Sequence, residues 1–164
     1  MKLTHLLFFL IVTFSTMSAC DDKQIDPNSD YIVFGHAYGY CMGNCSLYFK
    51  AENKRLYKDN LKGAYGFPES DSFESKALDQ EDYQLYTEHI LPVIPSELLA
   101  QPSQTFGCPD CADQGGYILQ YKAKGDTLKN WHLDTNQSAL PEYLWELRDS
   151  LESVMLTLAV KYNQ

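Results

Sequence analysis

The chain has 164 residues, 45% of them hydrophobic, with 22 Asp and Glu against 13 Lys and Arg and a formal net charge of −9. That length suits one domain around one core. The acidic balance argues against a nucleic-acid-binding surface and against electrostatic docking on anionic lipid.

Lys2 and His5 precede the apolar run Leu6-Leu7-Phe8-Phe9-Leu10-Ile11-Val12, and small residues then lead to a cysteine. The run is too short to cross a bilayer comfortably, so residues 1–19 read as a secretory signal peptide. Met17-Ser18-Ala19-Cys20 resembles the lipobox of bacterial lipoproteins, in which an apolar residue and two small ones precede an obligatory Cys. The resemblance implies cleavage before Cys20 and a diacylglycerol thioether on it, so the membrane is reached through the lipid at Cys20. Loss of Lys2 with the leader takes the formal net charge from −9 to −10. Residues 20–30 are polar, acidic and interrupted by Pro27, and read as a lipidated flexible tether. Acidic residues straight after a lipidated Cys resemble the surface-export signal of Bacteroidetes-type lipoproteins, which implies a cell-envelope protein anchored in the outer membrane.

Residues 31–164 read as a single domain. Tyr31-Ile32-Val33-Phe34 is β-branched and aromatic and predicts the first strand. Leu47-Tyr48-Phe49-Lys50 and Arg55-Leu56-Tyr57 predict a hairpin turning at Glu52-Asn53-Lys54. From Asn60 to Ser75 there is little period, and irregular structure is expected. Asp79 is placed as the cap of a helix with Leu78, Tyr83, Leu85, Tyr86 and Ile90 on its buried side, ended by Pro92. A short helical turn follows at Pro95-Ser96-Glu97-Leu98-Leu99. Tyr117-Ile118-Leu119-Gln120-Tyr121 and Leu128 to Leu133 predict two more strands. Leu140, Leu144, Leu147, Leu151, Val154 and Leu158 step by four and three residues, predicting a long C-terminal amphipathic helix. After strands, such a helix more often packs on a sheet than forms a coiled coil. The expected class is α+β, a small antiparallel sheet packed by helices.

Four cysteines fall in two close pairs, Cys41 with Cys45 and Cys108 with Cys111, each among turn-forming residues. They can be two disulfides, four thiolates around zinc or copper, or a redox pair beside a structural pair. An oxidising compartment favours disulfides, and committing Cys20 to lipid leaves an even number. Closing about 65 residues with a bridge between the clusters would stabilise by roughly 4 kcal/mol, against roughly 2 for a local bridge. Geometry can overrule that entropy, so the connectivity stays open. Cys108-Pro109-Asp110-Cys111 resembles the CPxC of thiol oxidoreductases, but Gly115-Gly116 breaks any following helix and nearby acids would raise a thiol pKa.

His36 and His132 are the possible extra metal ligands, each set against the commoner role of a hydrogen-bonded structural histidine. His89 is expected in packing, and Asp110 and Asp113 as turn formers. The twelve tyrosines include Tyr38, Tyr40, Tyr48, Tyr117 and Tyr121, which could line a groove for glycan or peptide but more often pack within a sheet. No Gly-x-Ser-x-Gly elbow, HExxH helix or phosphate loop occurs, so familiar hydrolase and nucleotide-binding signals are missing.

Phe34-Gly35-His36 with the Gly/Cys loop, and Gly107-Cys108-Pro109-Asp110-Cys111-Ala112-Asp113-Gln114-Gly115-Gly116, are similar to a family of small Bacteroidetes-type lipoproteins. The similarity runs on through Trp131-His132-Leu133-Asp134 and Pro141-Glu142-Tyr143-Leu144. It implies source and location and transfers no catalytic residue. The expectation is a lipid-anchored, cysteine-stabilised binding or interaction domain, non-enzymatic and without a cofactor. The alternatives are a metal-binding module on the four cysteines and, less favoured, a thiol oxidoreductase.

Overall fold

A computed structural model describes residues 24–61 and 66–162. The expected leader and Cys20 lie outside the described residues. Six strands form one sheet: β1 (Tyr31–Ala37), β2 (Ser46–Glu52), β3 (Arg55–Lys58), β4 (Gln104–Phe106), β5 (Gly116–Lys122) and β6 (Lys129–Asp134). Their order is β3-β2-β1-β5-β6-β4, antiparallel except for the edge pair β4 and β6. The fold is thus α+β, with strand β4 an addition to the expected set. Only three residues long and following Pro102 and Ser103, it carries no alternation that a sequence pattern could detect.

Strand β1 lies at the centre, with Phe34 opposite Phe49 on one side and Leu119 on the other. Because side chains alternate across a strand, Ile32, Phe34, Phe49, Leu119, Trp131 and Leu133 share one face and pack beneath the helices. Val33, Ala37, Tyr48 and Ile118 occupy the other face, covered by Phe73 from the irregular segment. The hairpin turns at Asn53 and Lys54, both with positive φ (52° and 56°), as a two-residue primed turn requires.

Between β3 and β4 the chain is helical in short pieces: α1 (Gln80–Asp82), a π turn Tyr83–Thr87, α2 (Glu88–Ile90), a 3-10 turn Leu91–Val93, and α3 (Ser96–Ala100). Asp79 sits at the first cap with extended backbone but makes no side-chain cap bond. Tyr83, Tyr86 and Ile90 are buried as expected, whereas Leu85 is 49% exposed and His89 is also at the surface. Leu85 is two residues from Tyr83, about 200° around a helix, so it falls on the side away from the face of Tyr83, Tyr86 and Ile90.

The final helix, α4 (Trp145–Tyr162), follows a 3-10 turn Glu142–Leu144. Every residue of the expected stripe is buried, and the stripe packs on the sheet. The far end of α4 is held by Asp82, a carboxylate 1% exposed that accepts from Lys161 Nζ at 2.6 Å and from the Tyr162 hydroxyl. No helix among the described residues is long and apolar enough to cross a membrane.

Residues 26–30, expected as tether, instead form a hydrogen-bonded turn. The Asp26 carboxylate accepts from the Asn28 backbone and the Ser29 hydroxyl, an Asx turn that favours order over chain freedom. Asp30 is buried and accepts from the Tyr121 hydroxyl at 2.9 Å and the Lys124 backbone at 3.1 Å. The folded domain therefore begins at about this turn.

Candidate functional site

The two cysteine loops meet at the end of the sheet where β1 stops and β5 starts. Each closes on itself: Cys41 with Cys45 and Cys108 with Cys111 are at disulfide distance, with Cα separations of 5.4 and 5.5 Å. The bridge between clusters that loop entropy would reward is replaced by a side chain. Asp110, inside the CPDC loop at φ 63°, accepts from the Gly39 backbone at 2.8 Å and from the Gly115 backbone at 3.0 Å. Its own N–H donates to the Gly115 carbonyl. Asp110 thus serves as the expected turn former and also fastens one loop to the other. The CPDC loop has a second fastening at its start, where the Cys108 N–H donates to buried Asp134 at 2.7 Å.

Gly115 and Gly116 let this loop lie directly on the strands. A Cβ on Gly115 would come within 2.6 Å of the Ala37 carbonyl oxygen and 2.8 Å of His36 Nε2. One on Gly116 would meet Pro109 Cβ at 2.6 Å and collide with the His132 ring. The two histidines do not converge. His36 is opposite Leu47 and Tyr117, on the helix side of the sheet, whereas His132 is opposite Ile118, on the other side. Among the described residues no group of three or more His, Cys, Asp or Glu is arranged to hold a metal ion.

Between this end of the sheet and α4 is a cavity of about 320 Å³. Its sheet wall is His36, Tyr38, Leu47 and Tyr117; its helix wall is Glu152, Met155, Leu156 and Ala159; Asn44 and Gln114 from the cysteine loops close the end. The His36 ring is flanked by Tyr38 and Tyr117, with centroids 4.2 and 4.9 Å away. Glu152 receives Arg148 through Nη1 at 2.7 Å and Nη2 at 3.0 Å, and Arg148 Nε donates to the Thr135 carbonyl at 2.8 Å. Ser46 also lines the cavity, but register places its side chain on the opposite face from His36, so the two form no nucleophile–base pair.

Desolvation holds both histidines below their ordinary pKa; the neighbouring Gln114 backbone opposes this for His36, and the Asp110 charge opposes it for His132. A pKa lower in the folded than in the unfolded chain means that unfolding takes up protons. That stability is complete above the unfolded value near 6.5 and is lost as pH falls through the folded values. The melting temperature is expected to drop between pH 7 and pH 5. Asp59, whose carboxyl burial raises, acts in the opposite sense. The histidine share is read as the difference in slope between wild type and the His36→Gln/His132→Gln variant, in scanning calorimetry at each pH. Equal slopes would contradict it.

No family model matches the chain, and no curated protein or solved structure matches it either. The site therefore rests on its own geometry. A wider groove of about 970 Å³ runs between α4 and the helical segment 80–93, lined by Leu85, His89, Val93 and Trp145. Tyr86 and Asp149 line it too, but the cysteine loops that close the smaller cavity do not reach it.

Of the residues singled out in the sequence, the structure brings His36, Tyr38 and Tyr117 to one place, with Asn44 of the first cysteine loop and Gln114 of the second beside them. Tyr48 and Tyr121 are packed in the sheet, and Tyr40 is exposed on the first loop. Glu152, Met155, Leu156 and Ala159 were not legible as site residues. Their position beside the buried stripe of α4 gave only a weak signal, a carboxylate one residue from Leu151.

Proposed function

We propose that this is a lipid-anchored cell-envelope protein whose domain presents a binding cavity at the end farthest from the membrane. The course of β1 carries this reading. The chain enters the fold at the Asp26–Asp30 turn, and β1 runs from there to the cysteine loops and the cavity. Five residues separate Cys20 from Asp26, six steps with a reach of at most about 20 Å, so a lipid on Cys20 would hold the entry end near the bilayer. The seven residues of β1 then place the cavity roughly 23 Å farther out. Two locally closed loops fastened by Asp110 support the role of a rigid rim, since a preorganised wall lowers the ordering cost of binding. Acyl chains supply the membrane affinity that an acidic surface does not.

Cys20→Ser is expected to move the protein from the detergent-extracted membrane fraction to the soluble envelope fraction, with an unchanged circular dichroism spectrum. Retention in the membrane after a high-salt wash would contradict the anchoring.

A further inference from the structure

The chemistry of the cavity wall narrows what it can hold, given the binding role proposed above. Tyr117 is 4% exposed, and its hydroxyl makes no hydrogen bond among the described residues. It is not sealed by protein, so the cavity is what it opens to. Burial pushes its pKa up to about 12 and raises that of Tyr38, which keeps both phenols neutral. His36 is neutral near pH 7, and the one cation at the cavity, Arg148, is shared by Glu152 and Asp149. An anionic ligand would find no free counter-charge here and would lose its hydration.

The supply of free polar groups is also small. Gln114 is spent within its loop, accepting from the Ala112 backbone at 2.7 Å and donating to the Cys108 carbonyl at 3.4 Å. The Thr135 carbonyl is taken by Arg148, and Asn44 already has a partner. The hydroxyls of Tyr38 and Tyr117 remain, since His36 Nε2 and Ser46 Oγ, also without hydrogen-bond partners, are both closed off by protein. A sugar would leave several hydroxyls unsatisfied at about 1–3 kcal/mol each. The rest of the wall is apolar or aromatic: Leu47, Met155, Leu156, Ala159 and the three rings, a lining suited to ring stacking and to sulfur–aromatic contact. A cavity of about 150 Å³ can hold benzene, so 320 Å³ has room for two fused rings.

We infer that the cavity binds a small aromatic group of one or two rings, without a negative charge and bearing one hydrogen-bonding substituent, which the Tyr117 hydroxyl meets. The group can come as a free compound or as an aromatic side chain of a partner protein.

Calorimetric titration of the Cys20→Ser protein tests this with four probes: indole, N-acetyl-tryptophanamide, indole-3-acetate and glucose. Indole is expected to bind, indole-3-acetate at least tenfold more weakly, and glucose not at all. Tighter binding of N-acetyl-tryptophanamide than of indole would assign the source to a partner's side chain; the reverse would assign it to a free compound. Tyr117→Phe is expected to weaken indole roughly fivefold, the loss of one neutral hydrogen bond, without changing the melting temperature. Leu156→Trp, at an exposed position on the rim, is expected to block binding in a protein that still folds. Glucose or indole-3-acetate binding more tightly than indole, and blocked by Leu156→Trp, would overturn the ligand class while leaving the binding role of the cavity intact. Indole binding indifferent to Leu156→Trp, or no heat from any probe at millimolar concentration, would overturn the site itself.

Discussion

Gly115→Ala is expected to destabilise the domain by about 3 kcal/mol, because two separate penalties fall on one atom. At φ 70° an alanine gives up roughly 1 kcal/mol of backbone preference. The added methyl also meets the Ala37 carbonyl oxygen at 2.6 Å, a backbone atom of the central strand that cannot swing aside. Overpacking of that kind costs about 1–3 kcal/mol. Gly125→Ala separates the two effects. Gly125 has φ 79° with nothing within 4 Å of the added atom, so only the backbone part applies and the loss should be near 1 kcal/mol. Urea denaturation of the two variants reads both numbers. Equal losses would mean that the loop does not lie on β1.

Asp110→Ala is expected to cost about 2 kcal/mol and to free the two cysteine loops from each other. The carboxylate accepts from Gly39 and Gly115, and such charge-assisted bonds contribute about 1.5–3 kcal/mol when dry. The Gly39 amide is exposed and recovers water, which reduces the loss. The left-handed backbone at Asp110 adds roughly 1 kcal/mol for alanine but little for asparagine. Asp110→Asn should therefore recover about half of the loss. Hydrogen exchange at Gly39 and Gly115 is the direct readout: both should speed in Asp110→Ala while β1 and β5 stay protected. Unchanged exchange would show that something other than Asp110 holds the loops.

The elements that carried a strong period or a strong turn were legible in the sequence. The stripe from Leu140 to Leu158, the β-branched and aromatic strands and the Asn53–Lys54 turn all appear where residue chemistry places them. What escaped was set by tertiary context. The π turn at Tyr83–Thr87 leaves no composition signal, and Leu85 and His89 lie at the surface in and beside it. Strand β4 exists only because β6 offers it an edge. Asp30, Asp82 and Asp134 carry no local sign of burial, and each is buried on donors far away in the chain. The cavity was half legible. Turn chemistry marked the cysteine loops, but the wall from α4 depends on how that helix is turned over the sheet. Entropy alone ranked a bridge between clusters above local ones, and geometry reversed that order by giving the connecting role to Asp110.

Non-reducing tryptic mapping of the mature protein tests most directly whether two separately closed loops build this end of the fold. Cleavage after Lys23, Lys50, Lys76 and Lys122 puts Cys41 with Cys45 on peptide 24–50 and Cys108 with Cys111 on peptide 77–122. The expected result is two unlinked peptides, each lighter than its reduced form by one pair of hydrogens. A single species joining 24–50 to 77–122, or four free thiols, would contradict the local closures on which the cavity and its rim depend.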